Sequence, residues 1–366
     1  MIVFALYSLA SSTDKGASGG NISNVALIKE LARCHDVVVI SPSISENLRQ
    51  NLNQAGVTVI TRMFARSGIL SRLARRRWIY DSLSAQFERS KNIRTIVSSN
   101  GTCDIAQKIV LRYRSALCQP RFLVLSRAYE DMFYSRRSGS VKTIIKGALF
   151  DSLSPGSVAR AYRSADAIIT NSRFMADEIG RYFSIDTGKV SVLYPPIPTG
   201  AGVWRAPPPK PRVGIVNPKP EKGGLLFSQL AQSRPDWSFV YFGPSDIGFS
   251  LPNITYGGWS SDPFDLYRQL DVMIVPSQWH EPFGRVAVEA ISHGVPALVS
   301  NRGGLPETVD ARFVVDSDSC LSWSNAIISL TENSDSAMDA WQRSMRLADS
   351  FSMERHRASV AEIFPN

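Results

Sequence analysis

Tyr194-Pro-Pro-Ile-Pro-Thr-Gly-Ala-Gly-Val-Trp-Arg-Ala-Pro-Pro-Pro-Lys-Pro-Arg212 divides the chain. Prolines 195, 196, 198, 207, 208, 209 and 211 each fix φ and remove a backbone donor, so this stretch reads as an interdomain linker. On its N-terminal side, apolar runs of strand length alternate with helical patterns at 2–6, 24–33, 36–40, 57–61, 82–89 and 94–98. A helical 141–163 and the strand Ala167–Thr170 follow. On its C-terminal side the alternation resumes at 213–216, 224–232, 238–242, 263–269, 272–275, 284–293, 296–300 and 320–330. Such alternation predicts parallel α/β architecture twice over. The expected organisation is a first domain at 1–194, a linker at 195–212, a second domain at 213–348 and a C-terminal segment at 349–366, helical over Glu354 to Phe364. No short-period repeat is present.

A chain of 366 residues has room for two such domains. Cys34, Cys103, Cys118 and Cys320 make no C-x-x-C pair, and no His/Cys cluster has zinc spacing. Reduced thiols and a cytoplasmic setting are the default expectation. No stretch is long and apolar enough to span a bilayer. Met1 to Ala10 has no Lys or Arg ahead of its apolar run, so it reads as a buried strand, not a signal peptide. The net charge of +9 is unevenly placed: residues 1–194 carry 27 Lys and Arg against 14 Asp and Glu, and the remainder 14 against 18. Within Arg62 to Arg94, Ile69, Leu70, Leu73, Trp78, Ile79 and Leu83 alternate with Arg72, Arg75, Arg76 and Arg77. A basic helix with a Trp-bearing apolar face fits an anionic membrane surface. A solvated face and a nucleic-acid patch are the competing accounts, and the second rests on charge alone.

The densest chemistry lies in Ser277-Gln-Trp-His-Glu-Pro-Phe-Gly-Arg-Val-Ala-Val-Glu289. Pro282 and Gly284 punctuate a loop, and Val286 to His293 reads as an apolar helix. Glu281 precedes that helix and Glu289 lies inside it. A helix N-terminus offers unpaired amides and a positive dipole end, which suits an anion, while carboxylates grip hydroxyls. Together these suit a sugar joined to a phosphate. A helix-start acid and a solvated Glu are the plain alternatives. Glu289, however, interrupts the apolar run continued by Ala290, Ile291 and Val295, and a buried carboxylate needs a partner. His280 and Arg285 adjoin the motif and read equally as surface residues.

Other segments add weaker signals. Gly16, Gly19 and Gly20 follow the first strand and allow close approach of a phosphate, without G-x-G-x-x-G. Asn217-Pro-Lys-Pro-Glu-Lys-Gly223 places Lys219 and Lys222 just past a strand, where a cation would stabilise a leaving diphosphate. Arg302-Gly-Gly-Leu-Pro-Glu307 brings Gly303 and Gly304 after another strand. Tyr256 to Trp259 reads as a loop near a base. Asp316-Ser-Asp318 spells D-x-D but reads as an N-cap before a helix, so no metal site is expected there.

In order and spacing, these segments resemble retaining glycosyltransferases of the GT4 type with their E-x7-E motif. The likeness also takes in Ala167 to Glu178, Val190 to Ile197 and Asp271 to Ser277. It implies a GT-B fold: two Rossmann-like α/β domains facing across a cleft, with a C-terminal helix that crosses back to the first. It implies a UDP- or GDP-sugar donor, no cofactor and no metal. Glu281 would meet hydroxyls of the transferred sugar and Glu289 the ribose. Phe283, Gly284, Gly303, Gly304, Gly19, Gly20, Asn217, Lys219 and Lys222 would line the donor. Lys222 matches the family's lysine, whereas Asn217 stands at or near its usual arginine. A histidine common in the first domain is missing from Phe122-Leu-Val-Leu-Ser-Arg-Ala-Tyr-Glu-Asp131, which leaves Ser126, Arg127, Glu130 and Asp131 as polar candidates. The resulting catalytic set is Glu281, Lys222, Asp131 and Arg127. Transfer would follow a front-face route, the leaving phosphate helping to take the acceptor's proton. A lipid-linked or glycan acceptor at the inner face of a membrane fits the basic first half and a role in cell-surface glycan assembly. A GT-B 2-epimerase and a non-catalytic sugar-nucleotide or membrane-binding subunit are the rival readings.

Overall fold

The structure, a computed structural model, describes residues 1–11, 14, 18–64, 68–114, 119–128, 156–198, 200, 202–243, 245–260 and 262–365, with the side chains of Ile69, Pro263 and Phe264 left aside. The chain forms two compact units, Met1–Leu193 with Arg357–Asn366, and Tyr194–His356.

Unit 1 runs β1 (Ile2–Ala5), α1 (Gly19–Leu31), β2 (Val37–Ile40), α2 (Glu46–Gln54), β3 (Thr58–Ile60), α3 (Ile69–Arg89), β4 (Thr95–Ser99), α4 (Cys103–Tyr113), β5 (Arg121–Ser126), α5 (Ser157–Ser164), β6 (Ala167–Thr170), α6 (Arg173–Phe183) and β7 (Val190–Val192). Its strands pair in parallel in the order β3-β2-β1-β4-β5-β6-β7 among the described residues. The apolar runs 2–5 and 37–40 are buried at every position, as strands covered on both faces must be. One face packs on Ile79 and Leu83 of α3 and Ile105 and Ile109 of α4. The other packs on Leu27 and Ile28 of α1.

Unit 2 repeats the scheme with β8 (Arg212–Val216), α7 (Gly224–Ser233), β9 (Ser238–Phe242), β10 (Ile254–Tyr256), α8 (Pro263–Tyr267), β11 (Val272–Val275), α9 (Arg285–Ser292), β12 (Ala297–Ser300), β13 (Val314–Val315), α10 (Cys320–Glu332) and α11 (Ser334–Asp349). The parallel order is β10-β9-β8-β11-β12-β13 among the described residues. Phe227, Phe239, Ile274, Leu298 and Trp323 anchor its core. α11 is absent from the sequence reading because its buried face is built largely of Ala337, Ala340, Ser344 and Ala348, whose small side chains leave a faint apolar stripe. The final helix, α12 (Met353–Ile363), sends Val360 and Phe364 into the α1-side core of unit 1. Arg357 reaches Glu30 at 3.1 Å, and Arg121 Nη1 donates to the Ile363 carbonyl at 3.1 Å.

The proline-rich stretch carries no helix or strand before Arg212, yet its described part is fastened to unit 2. The Ile197 amide donates to the Phe351 carbonyl at 2.8 Å, and Gly202 N–H to Ser292 at 3.0 Å. Trp204 lies 5.9 Å from the Trp341 ring, and Thr331 Oγ1 donates to Pro207 at 3.2 Å. A β-carbon at Gly202 would lie 2.3 Å from the Gly294 nitrogen, so glycine is required for the chain to lie this close.

Among the described residues no helix is long and apolar enough to cross a membrane. The expected helical segment 141–163 is described only from 156 on, where α5 lies; Asp131 and Glu130, like Gly16, lie outside the described residues.

Candidate active site

In an open parallel sheet the loops that follow the strands share one edge, and ligands bind in the crevice outside it. In unit 2 the sheet order makes β8, β11 and β12 neighbours. The segments Asn217–Gly223, Ser277–Gly284 and Arg302–Glu307 therefore converge, although they are far apart in sequence. Lys222 Nζ donates to Glu281 Oε1, a short ion pair joining the first two segments. Ser277 Oγ donates to the same oxygen at 3.0 Å. Glu281 Oε2 has no hydrogen-bond partner among the described residues, so a carboxylate held on one oxygen offers the other to a ligand hydroxyl.

The backbone fixes this carboxylate closely. Glu281 and Gly303 form a parallel bridge, and Gly304 N–H donates to the Glu281 carbonyl at 2.7 Å. Gly303 has φ 66°, and a β-carbon there would lie 2.2 Å from the Glu281 carbonyl oxygen. Gly223 sits at φ 84°, with the Pro276 carbonyl 2.1 Å from where a β-carbon would be. The Glu221 carbonyl accepts from the amides of Gln278 and Trp279 at 3.0 and 3.2 Å, clamping the lysine loop onto the glutamate loop. Asn217 adopts φ 54° at the end of β8, and its amide donates to the Phe242 carbonyl at 2.7 Å. Lys219 is exposed on the same loop.

Glu289 is held differently. Tyr267 OH donates to its Oε2 at 3.0 Å and Arg285 Nη2 to its Oε1 at 3.2 Å. Arg285 Nη1 also donates to the Pro196 carbonyl at 3.2 Å, so the proline-rich stretch helps to aim it. Burial, then the charge of Glu289 and the bond to it, push the Tyr267 hydroxyl well above the ordinary tyrosine range, with Arg285 opposing. The phenol therefore stays a donor. Glu289 thus has protein partners of its own, with a lone pair on each oxygen left for a ligand. Phe283 is 2 % exposed, and its ring packs with Ile197, Val288 and Phe351. Only its backbone is available to a ligand. Gly284, at φ 121°, precedes α9, whose first amides receive no side-chain cap. His293 Nδ1 lies 2.7 Å from the Glu289 carbonyl. Asp318 of the D-x-D segment accepts from Gln278 at 3.1 Å and pairs with Arg302 at 2.9 Å. At the edge strand, Trp259 is half exposed, and Tyr256 OH donates to the Gly243 carbonyl at 2.8 Å.

Ser277 and Tyr267 are the functional neighbours that sequence reasoning missed. Ser277 lay inside the quoted motif, four residues before Glu281. Tyr267 gave no signal, since an aromatic at the end of an apolar helix reads as core.

In unit 1, Gly19 and Gly20 open α1, with Ser18 Oγ accepting from the Asn21 amide at 3.3 Å. Arg127 follows β5 and is buried. On α3 the basic residues part company. Arg76 turns inward to Asp104 at 2.5 Å and to the Gly101 carbonyl at 2.9 Å, and Trp78 packs on the α3-side core and on Phe64. Arg75 stacks over Phe64, and Arg77 pairs with Asp81 at 3.1 Å. Arg72, Leu70 (82 % exposed) and Met63 (96 %) face outward.

Residues 250–346, which include both glutamates and Gly303, match the model of the family described as glycosyl transferases group 1. A D-inositol 3-phosphate glycosyltransferase of Corynebacterium kroppenstedtii is 31% identical over 106 residues, 28% of this chain and 23% of that protein. Its counterpart in Streptomyces scabiei is 26% identical over 263 residues, 59% of each. The chain thus spans less than two thirds of these relatives. Among solved structures, Anabaena HepE in complex with UDP and glucose superposes with a TM-score of 0.69 over 99% of both chains at 16% identity. WaaG, a glycosyltransferase involved in lipopolysaccharide biosynthesis, gives 0.64 over 100% of both at 13%. The fold is GT-B. The family match covers the part of unit 2 that holds Glu281, Glu289 and Gly303, and the GT-B neighbours share the fold.

Proposed function

We propose that the protein is a retaining glycosyltransferase that moves a sugar from a nucleotide diphosphate to an acceptor hydroxyl. The observation that carries this reading is the Lys222–Glu281 pair, fixed by Gly303 and Gly304 at the strand ends of unit 2. A donor brings the two parts that the pair can divide. Lys222 faces the diphosphate, where negative charge grows as the glycosidic bond breaks, and Glu281 takes sugar hydroxyls through its open oxygen. Glu289, oriented by Tyr267 and Arg285, takes the ribose. The leaving phosphate accepts the acceptor's proton on the same face, so positioning and charge stabilisation replace a protein nucleophile. Solved structures of a GT-B neighbour in complex with UDP and glucose and with UDP-glucose favour a nucleotide-sugar donor. Lys222 supplies the positive charge at the diphosphate, and the reading calls for no resident cofactor or metal.

The acceptor side of the proposal is a lipid-linked or glycan precursor met at the cytoplasmic face of a membrane, in cell-surface glycan assembly. The basic excess of residues 1–194 supports it, together with the outward Met63, Leu70 and Arg72. A thermal-shift screen of sugar nucleotides, followed by transfer assays with Glu281→Ala, tests the enzymatic reading. We expect one nucleotide sugar to stabilise the chain selectively and Glu281→Ala to lower transfer by about 10²–10³-fold. Release of an isomerised sugar nucleotide with no acceptor present would mean an epimerase instead. Flotation with anionic vesicles tests the membrane reading, with Leu70→Glu and Arg72→Glu expected to reduce binding. No flotation of the wild-type protein would end it.

A further inference from the structure

Arg127 is 6 % exposed, and its Nη1 donates to the Leu193 carbonyl at 3.3 Å. Its Nε and Nη2 have no hydrogen-bond partner among the described residues. No carboxylate among the described residues faces it. A guanidinium cannot shed its proton at neutral pH, so a buried one is held at a cost unless an oxyanion meets it. Burial alone brings its pKa down to about 10, still far too high for it to be neutral. Among the described residues the ordinary remedy, an internal Asp or Glu, is not used.

The position is that of a ligand site. Arg127 directly follows β5, Asn171 follows β6, and Leu193 follows β7, all at the strand-end edge of the unit 1 sheet. Asn171 Nδ2 donates to the Arg127 carbonyl at 3.2 Å, while its Oδ1 is buried and unpartnered, as is Ser126 Oγ. The first turn of α1 is close by: a β-carbon at Gly20 would come within 3.3 Å of Arg127 Cβ. Among the described residues, two unpartnered polar atoms thus belong to neighbours of this cation, Ser126 by sequence and Asn171 through its bond to the Arg127 carbonyl, in the half of the chain with excess positive charge. An acid group with neighbouring hydroxyls complements that set, because a planar guanidinium edge grips an oxyanion through two parallel bonds.

We propose that Arg127 forms an oxyanion subsite of unit 1 and that the acceptor carries a phosphate or carboxylate which binds there. The assignment of the anion to the acceptor rests on the transferase reading; the anion site itself does not. Arg127 then acts as a specificity residue, admitting acidic acceptors.

Calorimetry on the full chain tests this in three arms. Inorganic phosphate, and separately glucuronate, is titrated into protein already saturated with UDP or GDP, whichever binds. We expect one of the two acids to bind, and Arg127→Gln to weaken it at least tenfold while nucleotide affinity changes by less than about twofold. Arg127→Lys keeps the charge and bulk but loses the paired edge, so about a tenfold loss in a folded protein is expected. Failure of both acids to bind the wild type, or wild-type affinity for the acid in Arg127→Gln and Arg127→Lys, overturns the subsite. A tenfold loss of nucleotide affinity in Arg127→Gln would assign the anion to the donor and overturn the acceptor claim. Nucleotide binding without a second anion removes this inference and leaves the transferase reading intact. Anion binding at Arg127 without any nucleotide binding does the opposite.

Discussion

Two strand-end sites, around Glu281 in unit 2 and around Arg127 in unit 1, treat charge in opposite ways. In unit 2 the charges are paired: Lys222 with Glu281, and Arg285 with Glu289. In unit 1 the buried Arg127 has one carbonyl partner and no described carboxylate. A site that carries both signs is ordered before its ligand arrives and can divide a charged ligand between them. A cation with no carboxylate partner among the described residues is, on the proposed reading, completed by the ligand. On the proposed reading, the two sites bind two substrates of different chemistry, one with a built-in counter-charge and one without.

The largest expected effect breaks the paired edge at its centre. Glu281→Ala removes the hydroxyl grip and frees Lys222 to drift, and transfer should fall by about 10²–10³-fold, measured as kcat/KM in a product assay. Stability gives the sharpest contrast. Lys222→Met leaves Glu281 bound only by Ser277 and should cost about 1 kcal/mol, a modest figure because the lysine is partly exposed. Arg127→Met removes a buried unpaired charge and should be neutral or stabilising by about 1–2 kcal/mol. Denaturant unfolding of the two variants without ligand checks this, and shifts of the same sign would break the comparison. Tyr267→Phe takes one donor from Glu289 and should cost about 1 kcal/mol and weaken nucleotide binding, read by calorimetry.

The smallest effect concerns pH. Burial works to raise the Asp310 carboxyl, but the bonds from Arg343 and the Arg312 amide outweigh it and bring its pKa below the ordinary value of 3.8. A lowered folded pKa means stability that is present above 3.8 and lost as pH falls through the folded value. Asp310→Asn should thus cost about 1 kcal/mol at pH 7, discounted for the part-exposed Arg343, and progressively less in acid, followed by unfolding at several pH values.

Much of this was legible in the sequence. Apolar runs such as 2–6, 238–242 and 272–275 gave their strands within a residue, because strands buried on both faces are written in continuous hydrophobic residues. The loops with Lys222, Glu281 and Gly303 were each readable by residue type. Their convergence was implied only by the family resemblance, since it depends on β8, β11 and β12 lying side by side. The partners of Glu289 were hidden for a related reason: Tyr267 comes from a helix 22 residues earlier and its hydroxyl is invisible to an apolar pattern. The inward turn of Arg76 and Trp78 was equally unreadable, because a helix pattern gives a face but not the Asp104 waiting across from it. The proline-rich stretch was read correctly as irregular, while its attachment through Gly202 and Trp204 depends on surfaces it meets only in the fold.

The central claim is that the Lys222–Glu281 pair is a nucleotide-sugar site. Calorimetric titration of the wild-type chain and Lys222→Ala with a panel of UDP- and GDP-sugars tests it most directly. The account expects one sugar nucleotide to bind the wild-type chain selectively, and Lys222→Ala to bind it about tenfold or more weakly, since a charge-assisted bond to the diphosphate is lost. Equal affinity in the two proteins, or no binding of any sugar nucleotide to the wild type, would contradict it.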